Sequence, residues 1–182
     1  MIGLERGIVK LIEYQNTWKA EAEKTISELK LLLPDVVVDI QHIGSTAIFS
    51  IHAKPIIDIA LGVNDLSDIK PPYIEVLNNN HYIFRGEDVS NQILFVKGDF
   101  EKNIRTHHIH VVNFNGIEWN NYINFRDYLN AFPEKAKLYD MCKLNLSNQF
   151  PQDRNSYTKG KQALVSQLLE EANVWKKQSV RQ

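Results

Sequence analysis

The sequence is poor in the features that mark secreted, membrane-spanning and strongly charged proteins. Its single cysteine, Cys142, excludes an internal disulfide bond. The first residues, MIGLERGIVKLIEY, carry charges and glycine without a long apolar run, so they predict neither a signal peptide nor a membrane span. Lysine and arginine (21) balance aspartate and glutamate (22), which argues against a dedicated nucleic-acid binder. We therefore expect a cytoplasmic protein with no membrane partner.

The remaining composition is that of an ordinary folded domain. The chain has 182 residues, of which 43% are hydrophobic, enough to build a packed core. No internal repeat, low-complexity segment or linker composition interrupts it. We predict one domain over residues 1–182, with a C-terminal helical part from about residue 117.

The order of hydrophobic patterns predicts an α/β fold, a short mixed sheet with helices packed against it. Helices are expected over residues 17–33, 72–79 and 118–129, from 133, and from 157. Strands are expected over residues 36–40, 56–63, 82–84, 93–96 and 106–112. The polar segment 85–88 is predicted to be a loop between two strands, and residues 8–14 an edge strand or an extended lead-in.

One predicted strand, residues 56–63, carries a carboxylate among apolar residues. Its odd-numbered residues share one face, and Asp58, Ala60 and Gly62 share the other with Ile56. An ionised carboxylate is costly to bury without a partner. Asp58 is therefore expected to face an open cleft, a cation or a hydrogen-bond donor. A structural aspartate that satisfies backbone N–H groups is the plainer alternative.

A Gly44-Ser45-Thr46 turn precedes this strand and predicts a phosphate site. A strand that enters such a turn and then a short helix presents free N–H groups at the helix start, where phosphate oxygens bind well. The glycine allows a close approach and the two hydroxyls add donors. The same three residues also form an ordinary helix cap.

Two histidines, His108 and His110, lie on one face of the predicted strand 106–112. Such a pair can bind a divalent metal, hydrogen-bond phosphate, or pack as structural side chains. Because the Asp58 strand is expected to lie beside it, we predict that Asp58, His108 and His110 bind one divalent cation next to the Gly44-Ser45 turn.

The sequence resembles the GrpB family, within the DNA polymerase β-like nucleotidyltransferase superfamily. The resemblance rests on ordered motifs spread over nearly the whole chain. They are HIGSTA at 42–47, KPIIDI at 54–59, FVKG at 95–98, THHIHV at 106–111, FRDYL at 125–129 and YTKGK at 157–161. The resemblance implies a nucleotidyltransferase-like mixed sheet flanked by helices, with a C-terminal helical part.

The resemblance also implies roles for particular residues. Asp58 would be catalytic and hold a metal, while the Gly44, Ser45 and Thr46 turn would bind the triphosphate. Lys54, Tyr157 and Lys161 would contact substrate phosphate, with support from His42 and Arg126. In the superfamily a second aspartate follows two residues after the first, and here that position is Ala60, which cannot bind a metal.

Three functions remain open at this stage. The first is a metal-dependent nucleotidyltransferase that moves a nucleotidyl group from a nucleoside triphosphate to an unknown acceptor. The second is a non-catalytic module that binds a nucleotide or a phosphorylated small molecule, and the third is a metal-dependent phosphoesterase. The expected cofactor is Mg²⁺ or Mn²⁺. Zn²⁺ is a further candidate because histidine ligands favour Mn²⁺ and Zn²⁺.

Overall fold

A computed structural model describes residues 2–89 and 91–179 of the chain. Its helices are α1 (Thr17–Leu32), α2 (Pro71–Asn79), α3 (Ile117–Ala131), α4 (Pro133–Gln149) and α5 (Arg154–Ser179). Its strands are β1 (Leu4–Glu5), β2 (Val37–Ile43), β3 (Ile57–Val63), β4 (Ile83–Val89), β5 (Gln92–Lys97), β6 (Ile104–Arg105) and β7 (His107–Asn113). Short 3₁₀ turns follow β2 at Ser45–Ala47 and β3 at Leu66–Asp68.

Five strands form one mixed sheet in the order β2-β3-β7-β5-β4. The central pair, β3 and β7, is parallel, and the other neighbours are antiparallel. The strands β1 and β6 pair separately as a short two-stranded ribbon. The predicted class, a mixed sheet with flanking helices and a C-terminal helical part, is confirmed.

One face of the sheet is the main hydrophobic core. The helices α1 and α2 cover it, and Trp18 of α1 is fully buried there. The strand residues in this core are the alternate positions that the sequence pattern predicts. They are Ile57, Ile59, Leu61, Val63, Ile109 and Val111.

The opposite face of the sheet meets the C-terminal helices. Trp119 of α3 packs on Ala60 and Val112. A further apolar cluster joins α3, α4 and α5 to Ile48 and Ile51, in the segment that connects β2 to β3. An open cleft remains between this face and α5. None of the helices in the described ranges is long and apolar enough to cross a membrane.

Two predicted segments differ from the structure. Residues 85–88 are not a loop, because β4 continues to Val89 through a shift in register at Gly86, whose φ of +81° suits glycine. The side chains of Glu87 and Asp88 lie outside the described residues. Residues 8–14 take the predicted form of an extended lead-in, which is held by the bridge from Ile12 to Ala53, by a hydrogen bond from the Val9 N–H to the Pro151 carbonyl and by the Tyr14 ring against Trp18. The short helix expected after Gly44 is only a 3₁₀ turn of three residues.

Candidate metal and phosphate site

The parallel pairing of β3 with β7 brings the predicted ligands together. Asp58 lies opposite His108 in the register, and Ala60 lies opposite His110. The Asp58 Oδ1 atom is 3.0 Å from Nδ1 of His108 and 3.6 Å from Nε2 of His110. Because all three side chains project from the same face, the strand register itself assembles the cluster.

The three side chains present a suitable donor set for a divalent cation. One ligand atom from each of Asp58, His108 and His110 can be chosen so that all lie within 4.8 Å of one another. Their side chains are 28%, 15% and 17% exposed, so the cluster is reachable from solvent. One oxygen and two imidazole nitrogens suit Mn²⁺ or Zn²⁺ better than Mg²⁺, which prefers oxygen ligands.

The Asp58 carboxylate is held in its ionised form. Burial by itself raises the pKa of Asp58. Hydrogen bonds from His108 and His110, together with their charges, outweigh burial and bring this pKa well below its usual range. The carboxylate is therefore available as a ligand over the whole physiological pH range.

Packing explains why position 60 carries alanine. Ala60 is fully buried in a cluster with Ile43, Val112 and Trp119. A carboxylate there would lose its hydration and displace apolar side chains. On this face the neighbouring strand supplies His110, so an imidazole stands beside the position where the superfamily pattern has its second aspartate.

Gly44 is required by its contact with Asp58. The antiparallel register places Ile43 opposite Asp58, and Gly44 follows with a φ of +70°. A Cβ atom at position 44 would lie 2.6 Å from Oδ2 of Asp58, which is too close for any side chain. The following Ser45–Ala47 segment makes one 3₁₀ turn. Its contribution to phosphate binding would therefore come from local N–H groups and the Ser45 hydroxyl, since a helix dipole needs a longer helix.

His42 and Arg126 support this turn from outside the cleft. Nε2 of His42 is 2.9 Å from the hydroxyl of buried Thr46, and the Arg126 guanidinium donates to the His42 carbonyl at 2.9 Å. Burial lowers the pKa of His42 to about 4, and the Arg126 charge adds to this although Asp58 opposes it. Arg126 is itself paired with Asp127 at 2.7 Å. His42 and Arg126 line a separate pocket of ≈ 320 Å³, and Thr46 lines both this pocket and the cleft.

The remaining predicted residues are Lys54, Tyr157 and Lys161, which line the same cleft as Asp58. The Nζ atoms of Lys54 and Lys161 lie 4.4 Å and 5.4 Å from the ring centre of Tyr157. Burial, and then repulsion from Arg154 and Lys161, lowers the pKa of Lys54 to about 8. Tyr157 is buried, and burial raises its pKa. The side chain of Lys161 lines the same cleft as Lys54 and Tyr157.

One cleft of ≈ 260 Å³ therefore brings most of the predicted residues together. Those that line it are Ser45, Thr46, Lys54, Asp58, His108, His110, Tyr157 and Lys161. Gly44 lies directly behind Asp58. The cleft holds several cationic groups around a single carboxylate, so it favours an anionic ligand.

Sequence reasoning missed two further cations in this cleft, Lys143 and Arg154. Lys143 is only 1% exposed, donates to the His52 carbonyl and lies 3.6 Å from Asp140. Burial lowers its pKa to about 8. A signal for Lys143 was present, because it lies four residues after Tyr139 on the inward stripe of α4. Arg154 begins α5 and carried no comparable signal.

The structure defines a protein of the mixed α+β class, with a five-stranded mixed sheet, flanking helices and a cation-lined cleft beside an Asp–His cluster. Residues 8–171 match the GrpB protein family, and the chain belongs to that family. A relative from Alkalihalophilus pseudofirmus, "Glutamate-rich protein GrpB", is 40% identical and covers 94% of this chain and 99% of its own. The "UPF0157 protein YqkA" of Bacillus subtilis is 34% identical over 93% of this chain but only 48% of its own length.

A solved structure agrees with this assignment. The crystal structure of conserved protein GrpB from Enterococcus faecalis has a TM-score of 0.83 and 29% sequence identity, covering 91% of this chain and 99% of that one. Terminal uridylyl transferase 4 from Trypanosoma brucei has a TM-score of 0.48 and 18% identity, covering 91% of this chain and 53% of that one. This second likeness concerns the fold alone.

Proposed function

We propose that this protein is a metal-dependent nucleotidyltransferase, which moves a nucleoside monophosphate group from a nucleoside triphosphate to an acceptor hydroxyl. The observation that carries the proposal is the composition of the cleft. The Asp58–His108–His110 cluster lines the same cleft as Lys54 and Lys161. A triphosphate in this cleft would meet a cation site and a set of positive side chains together.

The residues fit a bound divalent cation through the donor set described above. When bound at Asp58, His108 and His110, such an ion would supply charge neutralisation for the phosphate oxygens. Lys54 and Lys161 would hold the β- and γ-phosphates and stabilise the charge that develops on the leaving pyrophosphate. In the transfer, a new acceptor O–P bond forms as the bond between the α-phosphorus and its bridging oxygen breaks, and the acceptor proton leaves to water.

One observation favours a second candidate, a nucleotide-binding module without catalysis. Asp58 is the only carboxylate among the described residues that line the cleft. One carboxylate and two histidines would hold a single ion, whereas a pair of ions is a common arrangement for phosphoryl transfer. In this second function the same residues would bind the same ligand and release it unchanged.

An experiment separates these candidates. The protein is incubated with each of the four ribonucleoside triphosphates, labelled at the α-phosphate, with Mg²⁺, Mn²⁺ or Zn²⁺ and a mixture of small hydroxylated acceptors and RNA. A transferase is expected to release pyrophosphate and move label to an acceptor, and Asp58→Asn should stop both. Triphosphate binding by calorimetry without any pyrophosphate release would support the binding module. No triphosphate binding with any of the metals would contradict both functions.

A further inference from the structure

A second groove lies beside the cleft and shares two lining residues with it. It has a volume of ≈ 760 Å³ and is lined by residues of the β1 end and of the α4–α5 connection, Arg6 among them. Arg154 and Thr158 line both the groove and the cleft. One extended ligand could therefore contact residues of both.

The groove leads to a group of arginines around the β1–β6 ribbon. The backbone N–H of Arg6 donates to the Asn103 carbonyl at 2.9 Å, which places Arg6 at the ribbon end near Arg105. The guanidiniums of Arg105 and Arg85 lie 4.3 Å and 5.3 Å from the ring centre of Phe100. One aromatic ring thus holds two arginines at the surface through cation–π contacts.

These arginines are close enough to repel one another. Burial lowers the pKa of Arg105, and the charges of Arg85, Arg6 and Arg154 lower it further. Within the described residues, the ion pairs to carboxylates involve other cations, and none joins one of these four arginines to a carboxylate. Asp153 also lines the groove, but its oxygens accept from the N–H and hydroxyl of Ser156. Four like charges that form no ion pair with a carboxylate of the described part of the chain favour an anionic ligand.

The arrangement suits a chain of phosphates rather than one. The cations run from Arg85 and Arg105, through Arg6 and Arg154, to Lys54 and Lys161 beside the Asp58 cluster. The ring of Phe100, which is 37% exposed, lies beside Arg85 and Arg105 at the start of this run. Grooves that combine positive side chains with aromatic rings are typical of single-strand binding sites.

We propose that Arg6, Arg85, Arg105 and Arg154, here called the arginine path, bind single-stranded nucleic acid and direct one end of it into the Asp58 cleft. The acceptor of the transfer would then be the hydroxyl at the end of a strand, a conclusion that rests on the proposed function. Binding of the strand does not depend on catalysis. The near-neutral net charge of the whole chain does not reveal this basic surface, because acidic residues elsewhere in the chain balance the arginines.

The proposal is tested by fluorescence anisotropy with a labelled single-stranded RNA of about 12 nucleotides, over a series of KCl concentrations and without added metal. The test variant is Arg6→Gln with Arg85→Gln, because both side chains are exposed and neither supports the core. The matched control is Lys30→Gln with Lys70→Gln, which removes the same charge from exposed positions elsewhere. Melting temperatures of all variants establish that they fold.

The arginine variant is expected to bind several-fold more weakly. Its plot of log affinity against log salt should be shallower by about 1.4, since each phosphate contact on a single strand contributes about 0.7 to the slope. The lysine variant should match the wild type. Strand binding is measured without metal or triphosphate, and transfer is measured separately with labelled triphosphate, so failure of the arginine path and failure of the nucleotidyltransferase proposal are distinguishable.

Three outcomes would overturn the arginine path. They are no binding of single-stranded RNA by the wild type at low salt, an equal loss in the lysine variant, and a preference for RNA duplex or for phosphatidylserine vesicles over the single strand. If strand binding follows the expected pattern but no transfer occurs in the labelled-triphosphate assay, the path stands and the transferase proposal falls.

Discussion

The two faces of the β3–β7 pair differ, because alternate residues of the same strands form the hydrophobic core on one face and line the cleft on the other. On one face, Ile57, Ile59 and Ile109 are fully buried under α1 and α2. On the other, Asp58 and His108 remain partly exposed and line the cleft. A strand turns successive side chains to opposite faces, so neighbours in the chain need not share an environment.

This contrast suggests that stability and ligand binding can be separated by mutating adjacent positions. The core face draws its free energy from the burial of apolar area, which does not depend on a ligand. The cleft face concentrates charges whose arrangement suits a ligand more than the fold.

The largest effect is expected at Asp58, on metal binding. Asp58→Asn removes the only carboxylate of the cluster, so binding of Mn²⁺ or Zn²⁺ measured by calorimetry should fall below detection. His108→Ala and His110→Ala should each weaken it less, because the negative charge of Asp58 and one imidazole remain. The melting temperature of Asp58→Asn should fall, because the low pKa of Asp58 means that its ionised form stabilises the fold, so metal binding is measured well below that temperature. Asp39→Asn, a strand carboxylate outside the cleft, is the control and should bind metal normally.

The next effect is expected one residue away, on stability. Ile59→Ala leaves a cavity in the main core and should lower the free energy of unfolding by about 2–5 kcal/mol, measured by urea denaturation. The folded variant should retain metal affinity. Leu31→Ala removes an aliphatic side chain that is 82% exposed and should cost little. Loss of metal binding in folded Ile59→Ala would show that the two faces are coupled.

An intermediate effect is expected at Gly44, where a substitution should change both metal binding and stability. Gly44→Ala places a methyl group against the Asp58 carboxylate at a positive φ. It should therefore weaken metal binding and also cost about 1–3 kcal/mol of stability through backbone strain. Gly7→Ala is a matched control, because its φ is +99° but no atom lies within 4 Å of the added Cβ. Gly7→Ala should therefore lower stability through backbone strain alone. Equal metal affinity in the two variants would contradict the contact at Gly44.

The smallest effect is expected from Lys54, and it depends on pH. The pKa of Lys54 is lowered to about 8, and that of Lys143 also to about 8. A lysine binds an anion only when protonated, so affinity for inorganic tripolyphosphate should decrease as the pH rises through about 8. Lys54→Met should weaken tripolyphosphate binding below about pH 8. It should also make the affinity less dependent on pH, because the titration of Lys54 no longer contributes. Lys30→Met should leave the profile unchanged, and a flat wild-type profile would exclude both lysines from the anion site.

The sequence predicted which helices and strands form more completely than it predicted the residues at which they begin and end. Strand β3 and the helix stop before Pro34 follow from alternation and from proline chemistry, which are local. The residues 85–88 were predicted to be a loop because they are polar, but pairing with β5 continues the strand through Gly86. Pairing to a neighbouring strand is a tertiary contact, and polarity alone carries no information about it.

The candidate site divides in the same way. The residue types of the metal cluster, its face and the adjacent glycine turn could be inferred from the chain, because alternation and turn chemistry act over a few residues. Lys143 and Arg154 were missed because they enter the cleft only after α4 and α5 pack against the sheet.

What the sequence by itself determined is which side chains share a strand face and which backbone positions need glycine. The tertiary structure decided that β3 and β7 lie parallel in the register that sets Asp58 opposite His108. It also decided that Ala60 is enclosed by Trp119, and that separate arginines converge on one groove. Those arrangements arise from contacts between residues tens of positions apart, whose free energy depends on the whole packed fold.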